Sequence, residues 1–374
     1  MRLFDFSSVF KDKNVFNLSY IPPRFLYREQ QLKDVAYSLV KQTNALVLGA
    51  TGTGKTGGVK YVIDKYMDET PADKQHKIIY ISCSTSRTTK MIVHNIYRKY
   101  TTGRSRITTI EMVNKLAEGN DALVILDEFD KLGVFQFNEI IKIFEIVDIS
   151  AVFITNQHTF MEDIIDEIKN RLAFNVIEFL PYNHDQLRDI VRDRVETGFQ
   201  HGVIRADEYG LIVANGVKRR GDARFAIQAL KRAGEICEQK KKTRITKEMA
   251  LKAMKDTECN ILIDTIMRLD ELGKIILVAS GTSAHYSKDL YDIFVQVANK
   301  VGLKTPDYTT FWRRVNELER EYSLLAFRET HRTGKRGAPS RRIYSLIPQP
   351  IFEQIEEELY TDLGLEKVQQ TLKG

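Results

Sequence analysis

Residues 45–56 read ALVLGATGTGKT: a short apolar run from Ala45 to Leu48, a glycine-rich turn, and then a stretch with helical periodicity. This satisfies G-x-x-x-x-G-K-[ST] in the strand–loop–helix context that gives the pattern its meaning. Gly49, Ala50, Thr51, Gly52, Thr53 and Gly54 would form a cradle in which backbone N–H groups curl around phosphate oxygens, and the helix N-terminus adds partial positive charge. Lys55 would reach the β- and γ-phosphates of a nucleotide, and Thr56 would ligate Mg²⁺.

Outward from this loop, further apolar runs follow: IIYIS at 78–82, ALVIL at 122–126, AVFIT at 151–155 and VIEFL at 176–180. Alternating with helical stretches, they predict an α/β fold with a mostly parallel sheet of five readable strands. The run at 122–126 continues into Asp127 and Glu128. A buried strand delivers such carboxylates at its C-terminal edge, where ligands of open α/β sheets sit. Asp127 would hold magnesium through water, and Glu128 would polarise the attacking water as general base. Asn156 ends the next strand, where it would orient the same water or simply serve as a turn residue. Arg171, in IKNRL, is placed to act as an arginine finger on a subunit edge or to form a surface ion pair. Arg224, in GDARFAIQAL, falls in the first turn of a helix, from which its guanidinium would close over the nucleotide and sense the γ-phosphate.

From Pro181 to about Cys259 the period is helical. Asn183 and Gln186 have capping-box spacing, and Leu187, Ile190, Val191, Val195 and Phe199 are expected to share an apolar face behind them. Two further helices are expected, one opening near GDARFAIQAL and one near Ile245, with KKKTR at 240–244 as a solvated loop. From Asn260 onward, helices precede two short strands, LLAFRET and RRIYSLI, the order of a winged helix-turn-helix. The expected domains are therefore 1–180 (nucleotide-binding), 181–259 (helical lid) and 260–374 (winged helix).

Within the last of these, Phe311, Val315, Leu318 and Tyr322 are expected to share one face of a helix. Thr309, Arg313, Asn316 and Arg320 fall opposite, as side chains able to contact phosphates and base edges, although a solvated face would look similar. Trp312 borders the apolar face and is read as core packing. The hairpin concentrates Arg328, Arg332, Lys335, Arg336, Arg341 and Arg342 against the single carboxylate Glu329. Such a wing suits a phosphate ridge or a minor groove.

Composition agrees with this reading. With 43% hydrophobic and 28% charged residues, the chain fits neither a disordered tail nor a membrane protein. A net charge of +6 does not by itself demand a polyanion partner. The excess is local: residues 260–350 hold 14 Lys and Arg against 10 Asp and Glu. The opening MRLFDFSSVFKDKN has no apolar h-region, and the three cysteines show no metal-site spacing. A reducing, cytoplasmic location is expected.

GATGTGKT, LVILDEFD, ITN, NRL and GDAR, in this order and on these elements, resemble the AAA+ ATPases. YIPPRFLYRE at 20–29, the DEFD form of the acidic motif, LPYNHDQLRDIVRDR and GDARFAIQAL resemble more narrowly the origin-recognition and cell-division-control type replication initiators, in their archaeal form. The likeness runs from about residue 15 to 347. It implies an AAA+ core, a lid and a winged helix. It implies ATP or ADP with Mg²⁺ as cofactors, and an adenine site framed by Tyr20, Pro22 and Arg28. It further implies slow hydrolysis, binding of double-stranded origin DNA, recruitment of the replicative helicase, association with itself or a paralogue on DNA, and a nucleoid-associated location without membrane contact. The IKNRL segment departs from the family pattern, and Lys169 competes with Arg171 for the finger role. TTKMIVHNIYRKY at 88–100 is the candidate for the family's additional DNA-contacting helix. A regulatory or plasmid-maintenance DNA-binding factor with ATP as structural ligand, or a clamp loader, is the alternative.

Overall fold

The computed structural model describes residues 8–100, 108–117, 122–132, 134–156, 174–281, 283–320, 322–330 and 340–364. The chain forms two compact units, 1–255 and 256–374.

The first unit is built on five parallel strands: β1 (Ala45–Leu48), β2 (Lys77–Ser82), β3 (Ala122–Asp127), β4 (Ser150–Thr155) and β5 (Asn175–Glu178). Their order is β2-β3-β4-β1-β5. β1 and β3 are buried at every position, the reason their sequences are uninterrupted apolar runs rather than alternating ones. Helices α1 (Glu29–Lys41) and α2 (Lys55–Glu69) accompany one set of core residues, including Val35, Leu39, Val59 and Val62. Helices α3 (Thr89–Tyr100), α4 (Thr109–Ala117) and α5 (Val134–Val147) supply the other, including Ile92, Ile96, Leu116 and Phe144. β1 lies between β4 and β5, so the loop that leaves it opens at the carboxyl ends of the strands, where such sheets place ligands.

The lid follows as α6 (His184–Gly198), α7 (Ala206–Lys218), α8 (Ala223–Gln239) and the start of α9 (Lys247–Met267). Asn183 and Gln186 make the expected reciprocal cap on α6. The buried stripe of α6 differs from the expected one: it comprises Leu187, Val191, Arg194 and Gly198, whereas Ile190 and Val195 are half-exposed. The cause is the N-terminal segment, whose Phe16 packs so closely that a Cβ on Gly198 would sit 2.3 Å from its ring. Helix α7 is not predicted by the sequence pattern. Its glycines at 210 and 216 weaken the helical signal, yet Gly216 is a packing site, where a Cβ would lie 2.8 Å from Leu187. Residues 240–244 connect α8 to α9 outside any helix. The division between the two units falls inside α9, at residue 255, and the helix runs on through the expected boundary at 259.

The second unit contains the rest of α9, then α10 (Glu271–Ser280), α11 (Ser287–Val301), α12 (Tyr308–Arg320), and α13 (Gln349–Asp362) after a three-stranded sheet. That sheet, in the order β6-β8-β7, joins β7 (Leu325–Thr330) and β8 (Ser340–Ser345) to an unanticipated strand, β6 (His285–Tyr286). Its core collects Phe294, Phe311, Val315, Leu318 and Ile343, with the Phe294 and Phe311 rings 4.9 Å apart. Trp312 packs against this core, as expected, but Tyr322 lies beyond the end of α12 and packs from the following turn. Among the described residues, no helix is long and apolar enough to cross a membrane.

Candidate nucleotide site and candidate nucleic-acid face

The phosphate-binding loop is shaped by close approach. Gly49 leaves β1 with φ +150°, and a Cβ there would meet the Phe179 carbonyl oxygen at 2.4 Å. Gly52, at φ +82°, has Asp222 so near that a Cβ would fall 1.9 Å from its Oδ1. Only glycine fits both the backbone and the space. Thr53 Oγ1 donates to the Ala50 carbonyl at 2.8 Å and tightens the turn.

Lys55 is buried and donates from Nζ to the carbonyls of Gly49 and Ala50, each at 2.7 Å. Burial lowers its pKa to about 8, against the opposing pull of Asp127, Asp130, Asp222 and Glu128. Thr56 Oγ1 donates to both Asp127 oxygens, at 3.2 and 3.0 Å, so the two expected magnesium ligands already face each other. A hydroxyl beside a carboxylate is a hard oxygen pair, a donor set that fits magnesium, which binds one or two carboxylates and keeps several waters. Burial raises the Asp127 pKa, while hydrogen bonds from Tyr80 and Thr56 oppose the shift. Glu128 is half-exposed beside it, with φ +54°, the left-handed turn that ends β3.

Asp130, the residue that closes the acidic motif, holds the end of the next strand. Its Oδ1 accepts from Thr155 Oγ1 at 3.0 Å and from the Asn156 N–H at 3.4 Å, and its side chain is 1% exposed. The last letter of DEFD was the available signal, and it is what places Asn156 beside the acidic turn. Arg171 and Lys169 lie outside the described residues.

The lid reaches the loop directly. The Ala223 N–H, at the start of α8, donates to the Gly52 carbonyl at 3.3 Å. Asp222 caps the helix through the Phe225 N–H at 3.1 Å, and burial raises its pKa. Arg224 thus sits one residue from the loop contact, with its Nε buried and without a partner. One turn further along α8, Gln228 Oε1 is in the same condition.

The three residues expected around adenine occupy different environments. Arg28 is 3% exposed; its Nε donates to the Thr53 carbonyl at 3.2 Å and its guanidinium lies 3.9 Å from the Tyr182 ring centroid. It joins the phosphate loop to the approach of the lid. Tyr20 is half-buried under the guanidinium of Arg194, 4.6 Å from the ring centroid, and Pro22 is buried. Arg194 is an unanticipated member of this wall: it is buried, with Nε and Nη1 unpartnered.

In the second unit, Thr309, Arg313 and Arg320 are exposed and Asn316 is half-exposed on α12, whereas the intervening Arg314 is turned inward. Arg314 binds Asp270 at 2.6 Å and also pairs with Glu317. Arg341 lies in β8. Arg342 stands opposite Arg328 and Tyr286 in the ladder, its guanidinium 5.1 Å from the Tyr286 ring centroid. Arg328 lies 5.7 Å from the Tyr344 ring centroid. One face of the sheet therefore interleaves cations with tyrosines, a pattern hidden from the sequence because β6 was not foreseen. Arg332, Lys335 and Arg336 lie outside the described residues.

A parallel sheet carrying a phosphate loop, a carboxylate-tipped neighbouring strand and a helical lid closing at its mouth define an AAA+ ATPase-type chain with a C-terminal winged helix. Residues 40–160 match the AAA domain family and residues 188–255 the Cdc6 AAA+ ATPase-type lid domain. More narrowly, the chain is a homologue of the archaeal ORC1-type DNA replication proteins. It is 28% identical to ORC1-type DNA replication protein 1 of Archaeoglobus fulgidus over 393 residues, covering 98% of this chain and 95% of that one. It is 29% identical to the ORC1-type DNA replication protein of Pyrococcus furiosus, covering 85% and 82%. Among solved structures, the Aeropyrum pernix ORC1 protein in complex with DNA shares the fold, with TM-score 0.77, 24% identity, and 96% and 99% of the chains covered. The Aeropyrum pernix ORC2 protein, in ADPNP–ADP complexes, has TM-score 0.60 at 19% identity, covering 95% and 99%.

Proposed function

We propose that this chain is an ATP-dependent initiator of DNA replication that binds origin duplex DNA and helps to recruit or load the replicative helicase, with slow hydrolysis of ATP as its switch. The observation that carries the proposal is the convergence of Lys55, Thr56 and Asp127 with the lid contact at Gly52, in a homologue of proteins named for DNA replication. Gly49 to Thr56 bind the phosphates, with Lys55 exchanging its loop carbonyls for phosphate oxygens. Thr56 and Asp127 hold magnesium, which when bound neutralises developing phosphate charge. Glu128 takes the proton of the attacking water, Asn156 orients that water, and Arg224 closes from the lid onto the γ-phosphate. Tyr20, Pro22 and Arg28 belong to the base end, Arg28 by bracing the loop. Arg171 is the candidate finger toward a second copy or a paralogue on DNA. Thr309, Arg313, Asn316 and Arg320 meet the major groove, while Arg332, Lys335, Arg336, Arg341 and Arg342 meet the phosphates flanking it.

Footprinting across the DNA that flanks the protein's own gene, with ATP and Mg²⁺ present, tests this reading. A discrete protected tract is expected. Uniform protection of all DNA would contradict origin recognition and favour a clamp-loader-like role.

A further inference from the structure

The Asp127 carboxylate has a hydrogen-bond partner that neither phosphate motif contains. Tyr80, on β2, donates its hydroxyl to Asp127 Oδ2. The register of the parallel pair places it there: Ser82 lies beside Asp127 and Tyr80 beside Ile125, so Tyr80 and Asp127 project from the same face of the sheet. The tyrosine is fixed at its ring as well as its hydroxyl. The ring packs against the core around Val59, Val62 and Tyr66, and Lys60 Nζ lies 4.9 Å from its centroid.

Each oxygen of this carboxylate has two donors. Oδ1 accepts from the Glu128 N–H at 3.0 Å and from Thr56 at 3.2 Å, and Oδ2 accepts from Tyr80 and from Thr56 at 3.0 Å. A threonine hydroxyl that binds a metal has to point a lone pair at it, so the direction in which its O–H can donate would be shared between metal and carboxylate. Tyr80 is not a ligand, and its hydrogen bond to Oδ2 would be free of that constraint. We infer that Tyr80 is a positioning residue that holds the Asp127 carboxylate in the orientation needed for magnesium. The inference rests on the nucleotide-site reading above and adds to it a residue from a third strand. Partners of this kind set the orientation of a metal-binding carboxylate, and their loss typically costs about 10–100-fold in metal affinity.

The test is Tyr80→Phe in the full chain, which keeps the ring, its core contacts and the neighbouring lysine. A fluorescent ATP analogue is titrated with MgCl₂, and separately bound in the presence of EDTA, with thermal unfolding measured alongside. The Mg²⁺ concentration giving half the metal-dependent signal is expected to rise about tenfold, while EDTA affinity and the unfolding midpoint stay at wild-type values. An unchanged Mg²⁺ requirement would overturn the assignment. So would an equal loss of affinity with and without metal, because that would make Tyr80 a packing residue of the pocket. A wild-type chain whose binding of the analogue ignores Mg²⁺ would instead remove the metal-site reading, and the inference with it.

Discussion

Lys55 carries the sharpest chemical expectations. Among the described residues its ammonium donates to two loop carbonyls and is ion-paired with no carboxylate, so Lys55→Ala should abolish ATP binding, measured by calorimetry, without unfolding the chain. Its pKa, lowered by burial to about 8, fixes the sign of a pH effect. The neutral amine accumulates in the free chain as pH rises through that value, whereas bound phosphates favour the charged form. With EDTA present, ATP affinity should be flat below about pH 8 and fall above it, by up to about tenfold per pH unit, with a proton taken up on binding. An affinity constant to pH 10 would contradict this account of Lys55. Glu128→Gln should bind ATP like the parent and lose turnover by about a hundredfold or more, as expected for a general base. Parental turnover in that variant would exclude the role. These residues were legible in the sequence because a phosphate loop and a carboxylate-tipped strand are local patterns. Tyr80, Arg194 and Asp130 were not, since each acts through partners that only strand register or helix packing brings near.

Elements show the same division. The central strands β1, β3 and β4 could be read because burial on both faces makes them continuous apolar runs, and the edge strands β2 and β5 because their β-branched residues recur between helical stretches. Helix α7 could not, because Gly210 and Gly216 lower its helix propensity, and of the two only Gly216 serves packing, against Leu187. β6 has only two residues, and its existence depends on β8 pairing beside it. The buried stripe of α6 keeps the helical spacing, but its members at 194 and 198 are an arginine and a glycine, buried by Tyr20 and Phe16 of the N-terminal segment rather than by their own apolar character. The turn after β3 gives a prediction at this scale. Asp130→Ala leaves the Thr155 hydroxyl and the Asn156 N–H without their buried acceptor, which should cost about 1–3 kcal/mol in denaturant unfolding. It should also slow hydrolysis more than it weakens ATP binding, since it releases Asn156 and leaves Lys55 in place. Equal losses in binding and turnover would show that Asp130 supports the whole pocket rather than the strand end.

For the whole molecule, nucleotide and DNA are assigned to different units, and the claim that makes one device of them is that ATP governs the grip on DNA. A lid that reports the γ-phosphate is a switching element of a known kind. Arg224→Ala should therefore leave a DNA affinity that no longer distinguishes ATP from ADP; a preserved difference would place the coupling elsewhere. The most direct test of the central claim is a titration of the intact protein with fluorescent duplexes tiled from the DNA flanking its own gene, against scrambled controls, at two salt concentrations with ATP and Mg²⁺. The salt slope reports phosphate contacts and the ratio between duplexes reports base reading. One tile binding at least about tenfold more tightly than its scramble, with affinity falling as salt rises, is the predicted result. Equal binding to every duplex, or none, would contradict it.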